Sequence, residues 1–134
     1  MEIITWQDEY SVNVKEIDDQ HKHFIGILNR LYMAIQASDT AVLSPLIDEL
    51  VAYATKHFAT EEKYFDQFHY EGATEHKEEH AKLAATVAES LARKTEDPLT
   101  LSYELLDFLE DWLVNHLNTM DKKYVTCFAE HGLA

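Results

Sequence analysis

His57 and Glu61 stand four residues apart, and so do His76 and His80. On an α-helix that spacing sets two side chains one above the other on the same face. The pairs constrain the fold because each lies in register with the apolar residues around it. Leu50, Tyr53, Ala54, His57, Glu61, Tyr64 and Phe65 share one helical face, and His76, His80, Leu83, Ala84 and Val87 share another. His21 stands in the same relation to Phe24, Ile25, Leu28, Leu31, Tyr32 and Ile35, and His116 to Leu105, Leu109, Trp112, Leu113 and Met120, with Asp121 just beyond. An imidazole or carboxylate turned into a core must be hydrogen-bonded, neutralised or metal-bound, because an unpaired buried charge is costly. Five inward histidines and two inward carboxylates would make a very unstable core without a cation. The spacing therefore predicts helices packed around a metal site built from His21, His57, Glu61, His76, His80, His116 and Asp121.

The remaining pattern fills in the architecture. Residues 1–17 alternate weakly and predict an extended arm, with Trp6 as its core anchor. Helices are expected over about 18–37, 41–67, 74–94 and 99–120, the first capped by Asp18 or Asp19 and the second carrying Pro45 near its first turn. Gly72 suits the break between the second and third helices. Tyr124, Val125 and Phe128 suit a docked tail of a turn or two. No repeat, low-complexity segment or linker interrupts this order. Short connections favour antiparallel neighbours, so the expected fold is all-α: a single domain over 1–134, an up-down-up-down four-helix bundle with an extended N-terminal arm and a short C-terminal tail.

Composition removes several functions. A chain of 134 residues buries roughly two-thirds of its unfolded surface. A net charge of −14 excludes nucleic acid as a partner and disfavours anionic membranes. No stretch approaches the roughly 18 apolar residues of a membrane span, and the N-terminus has no basic region before an apolar run, so the expected location is the cytoplasm. Cys127 is the only cysteine, which rules out an intrachain disulfide and a thiolate cluster and leaves it a passive thiol.

Imidazole and carboxylate without thiolate suit iron, zinc, copper or manganese. Seven ligands exceed a four-coordinate zinc site, so two metals bridged by carboxylates fit the set better. Ferritin-like di-iron bundles use Glu-x-x-His, which occurs nowhere in this chain. His116 and Asp121 are five residues apart, roughly 140° around a regular helix. Both can reach one centre only through irregular backbone hydrogen bonding, by a π-bulge or a loosening near Met120. His76-Lys77-Glu78-Glu79-His80 also matches His-x-x-Glu-His, a zinc-protease pattern that would make Glu79 a general base. That reading leaves the other five inward groups unexplained. His23, His69 and His131 match no inward position and are read as surface residues.

Asp19-Gln20-His21-Lys22, His57-Phe58-x-x-Glu61-Glu62, His76-x-x-x-His80 and Trp112-Leu113-x-x-His116-x-x-x-x-Asp121, in this order, closely resemble the hemerythrin family, its single-domain bacterial form in particular. The resemblance covers nearly the whole chain. It implies two iron ions (Fe2+/Fe3+) bridged by an oxo or hydroxo group, one held by His76, His80 and His116, the other by His21 and His57, with Glu61 and Asp121 bridging. It implies an open position for dioxygen on the iron with two histidines, and reversible oxygen binding for storage or delivery rather than enzymatic turnover. Leu113 is then placed over the open position, with Trp112, Phe24, Ile25 and Phe58 as pocket walls. Delivery would add an oxygen-consuming recipient protein, and the acidic, mixed surface favours a monomer. A sensing module and a peroxide- or nitric-oxide-reducing enzyme are the competing functions. Sensors sit on longer chains, and such an enzyme needs an electron supply that the sequence does not show.

Overall fold

The computed structural model describes residues 3–92 and 97–134. Its elements are a 3-10 turn at Asp8–Tyr10, α1 (Lys15–Gln36), α2 (Thr40–Phe68), α3 (Ala73–Ala92), α4 (Pro98–Asn118), a second 3-10 turn at Asp121–Tyr124, and α5 (Val125–Glu130). There is no strand among the described residues. α1 packs against α2 and α4, and α3 packs against the same two helices. With only residues 37–39 and 69–72 joining the first three, neighbours run antiparallel and the expected four-helix bundle results. No helix of the described residues is long and apolar enough to cross a membrane.

The helix ends differ in detail from the sequence expectation. α1 begins at Lys15 rather than residue 18, and neither Asp18 nor Asp19 caps it. Asp18 instead accepts from the Ser11 hydroxyl at 2.6 Å and the Val12 N–H at 2.9 Å, so its charge ties the arm to the helix's first turn. Pro45 lies one residue deeper in α2 than expected, on an exposed side where water can meet the Ala41 carbonyl that proline cannot bond. The left-handed residue that ends α2 is His69 (φ 52°, ψ 47°), not Gly72. Gly72 precedes α3, and a Cβ there would meet the Tyr70 hydroxyl at 2.7 Å. Asp97 caps α4 by accepting from the Thr100 N–H at 3.1 Å, with Pro98 in the first turn. The expected extension of the third helix to residue 94, and Thr95 and Glu96 beyond it, lie outside the described residues.

The arm is held by a residue with no periodic signal. Asn29, buried on α1, accepts from the Ile3 and Ile4 N–H groups at 2.9 and 3.1 Å and donates to the Ile4 carbonyl at 2.9 Å. Ile4 and Tyr10 therefore reach the core, while Trp6 is only half-buried, edge-on to Tyr10 with the Lys22 ammonium over its ring.

Apolar side chains gather in two clusters. The larger contains Phe24, Leu28, Leu50, Leu83, Leu109 and Leu113 among others. The smaller contains Val12, Val14, Ile17, Phe65, Tyr124 and Phe128. Along α1, α2 and α3 the inward polar residues fall between members of the two clusters: His21 between Ile17 and Phe24, His57 and Glu61 between Leu50 and Phe65, His76 and His80 between Ala73 and Leu83. A polar layer is thus enclosed between two dry ones.

Candidate metal centre

α1 supplies His21, α2 His57 and Glu61, α3 His76 and His80, α4 His116, and the 3-10 turn after α4 supplies Asp121. All seven are buried, none more than 5% exposed. The His116–Asp121 spacing is accommodated by ending the helix between them. The Thr119 N–H still bonds the Asn115 carbonyl at 3.0 Å, but Thr119 then adopts φ −119°, ψ −73°. Tight bonding resumes with the Lys123 N–H on the Met120 carbonyl at 3.2 Å. The irregularity expected near Met120 is therefore a helix break and 3-10 turn, with no π-bulge among the described residues.

The donor atoms sort into two groups. Glu61, His76, His80 and His116 have ligand atoms within 4.8 Å of one another, and so do His21, His57 and Glu61. Glu61 Oε1 lies 3.2 Å from His80 Nε2 and 3.4 Å from His57 Nε2, so it faces both groups. Asp121 spans them as well. Its Oδ1 is 3.1 Å from His76 Nε2 and 3.0 Å from His116 Nε2, while its Oδ2 is 3.1 Å from His21 Nε2.

These short distances are not hydrogen bonds. Glu61 Oε1, both carboxylate oxygens of Asp121, His21 Nε2 and His80 Nε2 are buried with no hydrogen-bond partner among the described residues. They converge on common points, not along one another's donor directions. His76 Nε2 and His116 Nε2 face each other at 3.1 Å beside Asp121 Oδ1. Left without a cation, several buried polar groups would each carry a desolvation cost of about 1–3 kcal/mol. Lone pairs aimed at two shared points, all nitrogen or carboxylate oxygen, fit a pair of first-row transition-metal ions.

The outer hydrogen bonds fix which nitrogen is free. His80 Nδ1 lies 2.9 Å from Glu62 Oε2; a carboxylate only accepts, so Nδ1 carries a proton, and in the neutral imidazole it is Nε2 that keeps the lone pair. His57 Nδ1 lies 2.8 Å from Gln20 Oε1, and the Gln20 amide nitrogen donates to Thr60 Oγ1 at 3.1 Å, which orients the amide oxygen to the imidazole. Tyr124, fully buried, donates its hydroxyl to Glu61 Oε2 at 2.5 Å. The sequence gives no periodic signal for Gln20, Glu62 or Tyr124 as partners of the cage. The first two are visible only as neighbours of His21 and Glu61, and Tyr124 only as part of an apolar tail.

Charge reinforces the arrangement. Burial and the Asp121 charge push the Glu61 carboxyl upward, but His57 and His80 outweigh them and hold it far below the usual range. Burial also opposes ionisation of Asp121, and His116, His21 and His76 overcome it. Both carboxylates are ionised. Burial lowers the His57 pKa despite the nearby carboxylates. At His80 burial pulls downward too, but Glu61 and Glu62 raise the pKa overall. The Tyr124 phenol is driven well above 10 by burial and then by Asp121 and Glu61, so it remains a donor.

Of the five residues expected to form a gas pocket, two line one apolar cavity and Trp112 borders a second, separate pocket. Phe24 and Phe58, with Leu50, Leu83 and Leu109, border about 160 Å³ of apolar space that opens between α2 and α3. Phe58 also stacks on His80, ring centroids 3.8 Å apart, and so separates that space from the cage. Trp112 does not border it but lies flat on His116 at 4.3 Å. Ile25 and Leu113 are packed in the larger apolar cluster, each 4% exposed. Glu79, the general base of the protease-like reading, lies outside both donor groups and borders a smaller surface pocket with Trp112 and His116. His23, His69 and His131 are exposed.

Residues 12–128 match the family model of the hemerythrin HHE cation binding domain. The chain is 34% identical over 133 residues to a bacteriohemerythrin of Stenotrophomonas maltophilia, covering 98% of this chain and 85% of that one. It is 30% identical over 130 residues to a bacteriohemerythrin of Methylococcus capsulatus, covering 96% and 99%. The crystal structure of a wild-type hemerythrin matches with a TM-score of 0.84 at 30% identity, over 95% of this chain and 98% of that one.

Proposed function

The chain belongs to the hemerythrin family, and from that premise we propose that it binds dioxygen reversibly at a non-haem di-iron centre, for oxygen storage or delivery. His76, His80 and His116 would hold one iron and His21 and His57 the other, with Glu61 and Asp121 shared between them. Two adjacent ferrous ions held there would supply the two electrons that reversible binding of dioxygen draws on.

The protein's contribution is to hold, orient and keep dry. Glu62 and Gln20 fix the tautomers of His80 and His57. Phe58 and Trp112 lie flat on His80 and His116 and limit their tilt. Tyr124 anchors the oxygen of Glu61 that faces away from His80 and His57. The two apolar clusters exclude water on either side, and Leu113, one helical turn before His116, is the residue we place against the open position. None of these groups needs to pass a proton to a substrate, which supports reversible binding over turnover.

The observation that carries the reading is the set of buried, unpartnered nitrogen and oxygen atoms aimed at two shared points. The test is iron content per chain, followed by visible spectra through anaerobic reduction, air exposure and oxygen removal. Two irons per chain and a charge-transfer band that appears in air and disappears under vacuum are expected. Irreversible oxidation would move the function to sensing or peroxide chemistry, and protein that takes up no iron would overturn the proposal.

A further inference from the structure

Among the described residues, the outer nitrogens of His21, His76 and His116 have no hydrogen-bond partner, whereas those of His57 and His80 do. These two imidazoles belong to different donor groups, and their partners differ in charge. His57 Nδ1 donates to a neutral amide, Gln20, that is 8% exposed and whose own NH2 is taken by Thr60. Thr60 in turn donates to the Lys56 carbonyl at 3.1 Å, so this chain of bonds ends on the backbone without a charge. His80 Nδ1 donates to a carboxylate, Glu62, whose side chain is 33% exposed.

A hydrogen bond to an anion is stronger than one to a neutral amide, and it draws the Nδ1 proton outward. Electron density then shifts to Nε2 and raises the basicity of the imidazole as a ligand. A more basic ligand favours the more highly charged metal ion. We infer that Glu62 and Gln20 are positioning residues that make the metal pair electronically unequal: the position of His76, His80 and His116 holds ferric iron more strongly than the position of His21 and His57. The inference rests on the di-iron reading above. It concerns the outer ring of hydrogen bonds, not the ligands, and it predicts that the first electron removed by a one-electron oxidant leaves from the three-histidine position.

The experiment is a redox titration of the iron-loaded protein with a one-electron oxidant of ferricyanide type, one equivalent at a time, with Mössbauer spectra to report which iron has become ferric. Glu62→Gln keeps the size and the hydrogen-bond acceptor and removes the charge. Outer partners of metal-bound histidines are worth about tenfold to a hundredfold. As a ferric-over-ferrous preference, that is about 60–120 mV for one electron. Glu62→Gln should raise the first potential by that amount and bring the two steps together. Gln20→Glu should lower the other potential and narrow the gap from the opposite side, and the double exchange should restore the gap with the first ferric iron now on the His21–His57 side. Metal retention gives a second readout: after full oxidation, Glu62→Gln should lose iron to a chelator about tenfold faster or more. If both single variants bind two irons and titrate like the parent, Glu62 and Gln20 do not tune the pair and the inference is overturned, while the di-iron reading stands. A parent protein that takes up no iron overturns both.

Discussion

Replacing Tyr124 with phenylalanine removes one oxygen atom and leaves a ring whose packing is already set. That ring stacks on Phe128 at 4.4 Å and lies 5.6 Å from Phe65 and 5.7 Å from His76, so no cavity larger than the hydroxyl is created. What is lost is the 2.5 Å hydrogen bond to Glu61 Oε2, with both residues fully buried. A hydrogen bond to a charged group contributes about 1.5–3 kcal/mol, and the buried carboxylate oxygen has no water to replace it. The metal-free protein should therefore lose about 2 kcal/mol, seen as a fall in urea midpoint of about 1 M for a slope near 2 kcal/mol/M. Bound cations offset part of the Glu61 charge, so the loaded protein should depend less on the phenol, by about 1 kcal/mol. The thermodynamic cycle then requires the folded variant to bind metal about fivefold more tightly in competition with a chelator. The two measurements check each other. A loss below about 0.5 kcal/mol in the metal-free protein would refute the view that Tyr124 stabilises a buried, ionised Glu61. Weaker metal binding by the variant would show that the phenol serves the metal-bound state instead.

Three other outcomes are expected. His57→Ala removes a donor from the two-histidine group and should lower iron retention by about tenfold or more; full occupancy with normal oxygen binding would overturn that ligand assignment. Metal loading should weaken as pH falls, starting above 6.5, because His80, its pKa raised by Glu61 and Glu62 against the pull of burial, must give up a proton to bind metal, whereas His57 is held neutral by burial. In the metal-free fold the stabilising contribution of protonated His80 is fully present below 6.5 and disappears as pH rises through its raised value; metal affinity that stays flat as pH is lowered through 6.5 would contradict this. Leu113→Ala should cost about 2–5 kcal/mol from the larger apolar cluster and speed oxidation of the oxygenated protein. Stability that drops while the oxidation rate stays unchanged would remove Leu113 from the role of guarding the open position.

The polar layer explains why one part of this protein is legible in its sequence. Six of the seven inward groups sit on helices at positions that the apolar stripe alone would fill, and a stripe is a property of one element, readable without knowing its neighbours. The four helices, their antiparallel order and the inward set all follow from that periodicity. Asp121 is the exception: its angle from His116 on a regular helix is wrong, and only the helix break at Thr119 turns it back to the cage. The same limit applies wherever the deciding contact joins distant parts of the chain. Asp18 reads as a cap, but its partners are Ser11 and Val12 in the arm. Asn29 carries no periodic signal, yet it holds Ile3 and Ile4. Tyr124 reads as tail packing, but it bonds Glu61 across 63 positions, as Gln20 bonds His57 across 37. The sequence by itself determined which residues face inward, because burial repeats with the helical period. Which of those residues meet, and what hydrogen-bonds them from behind, only the tertiary structure decided, because such pairings are made between elements and leave no period in the chain.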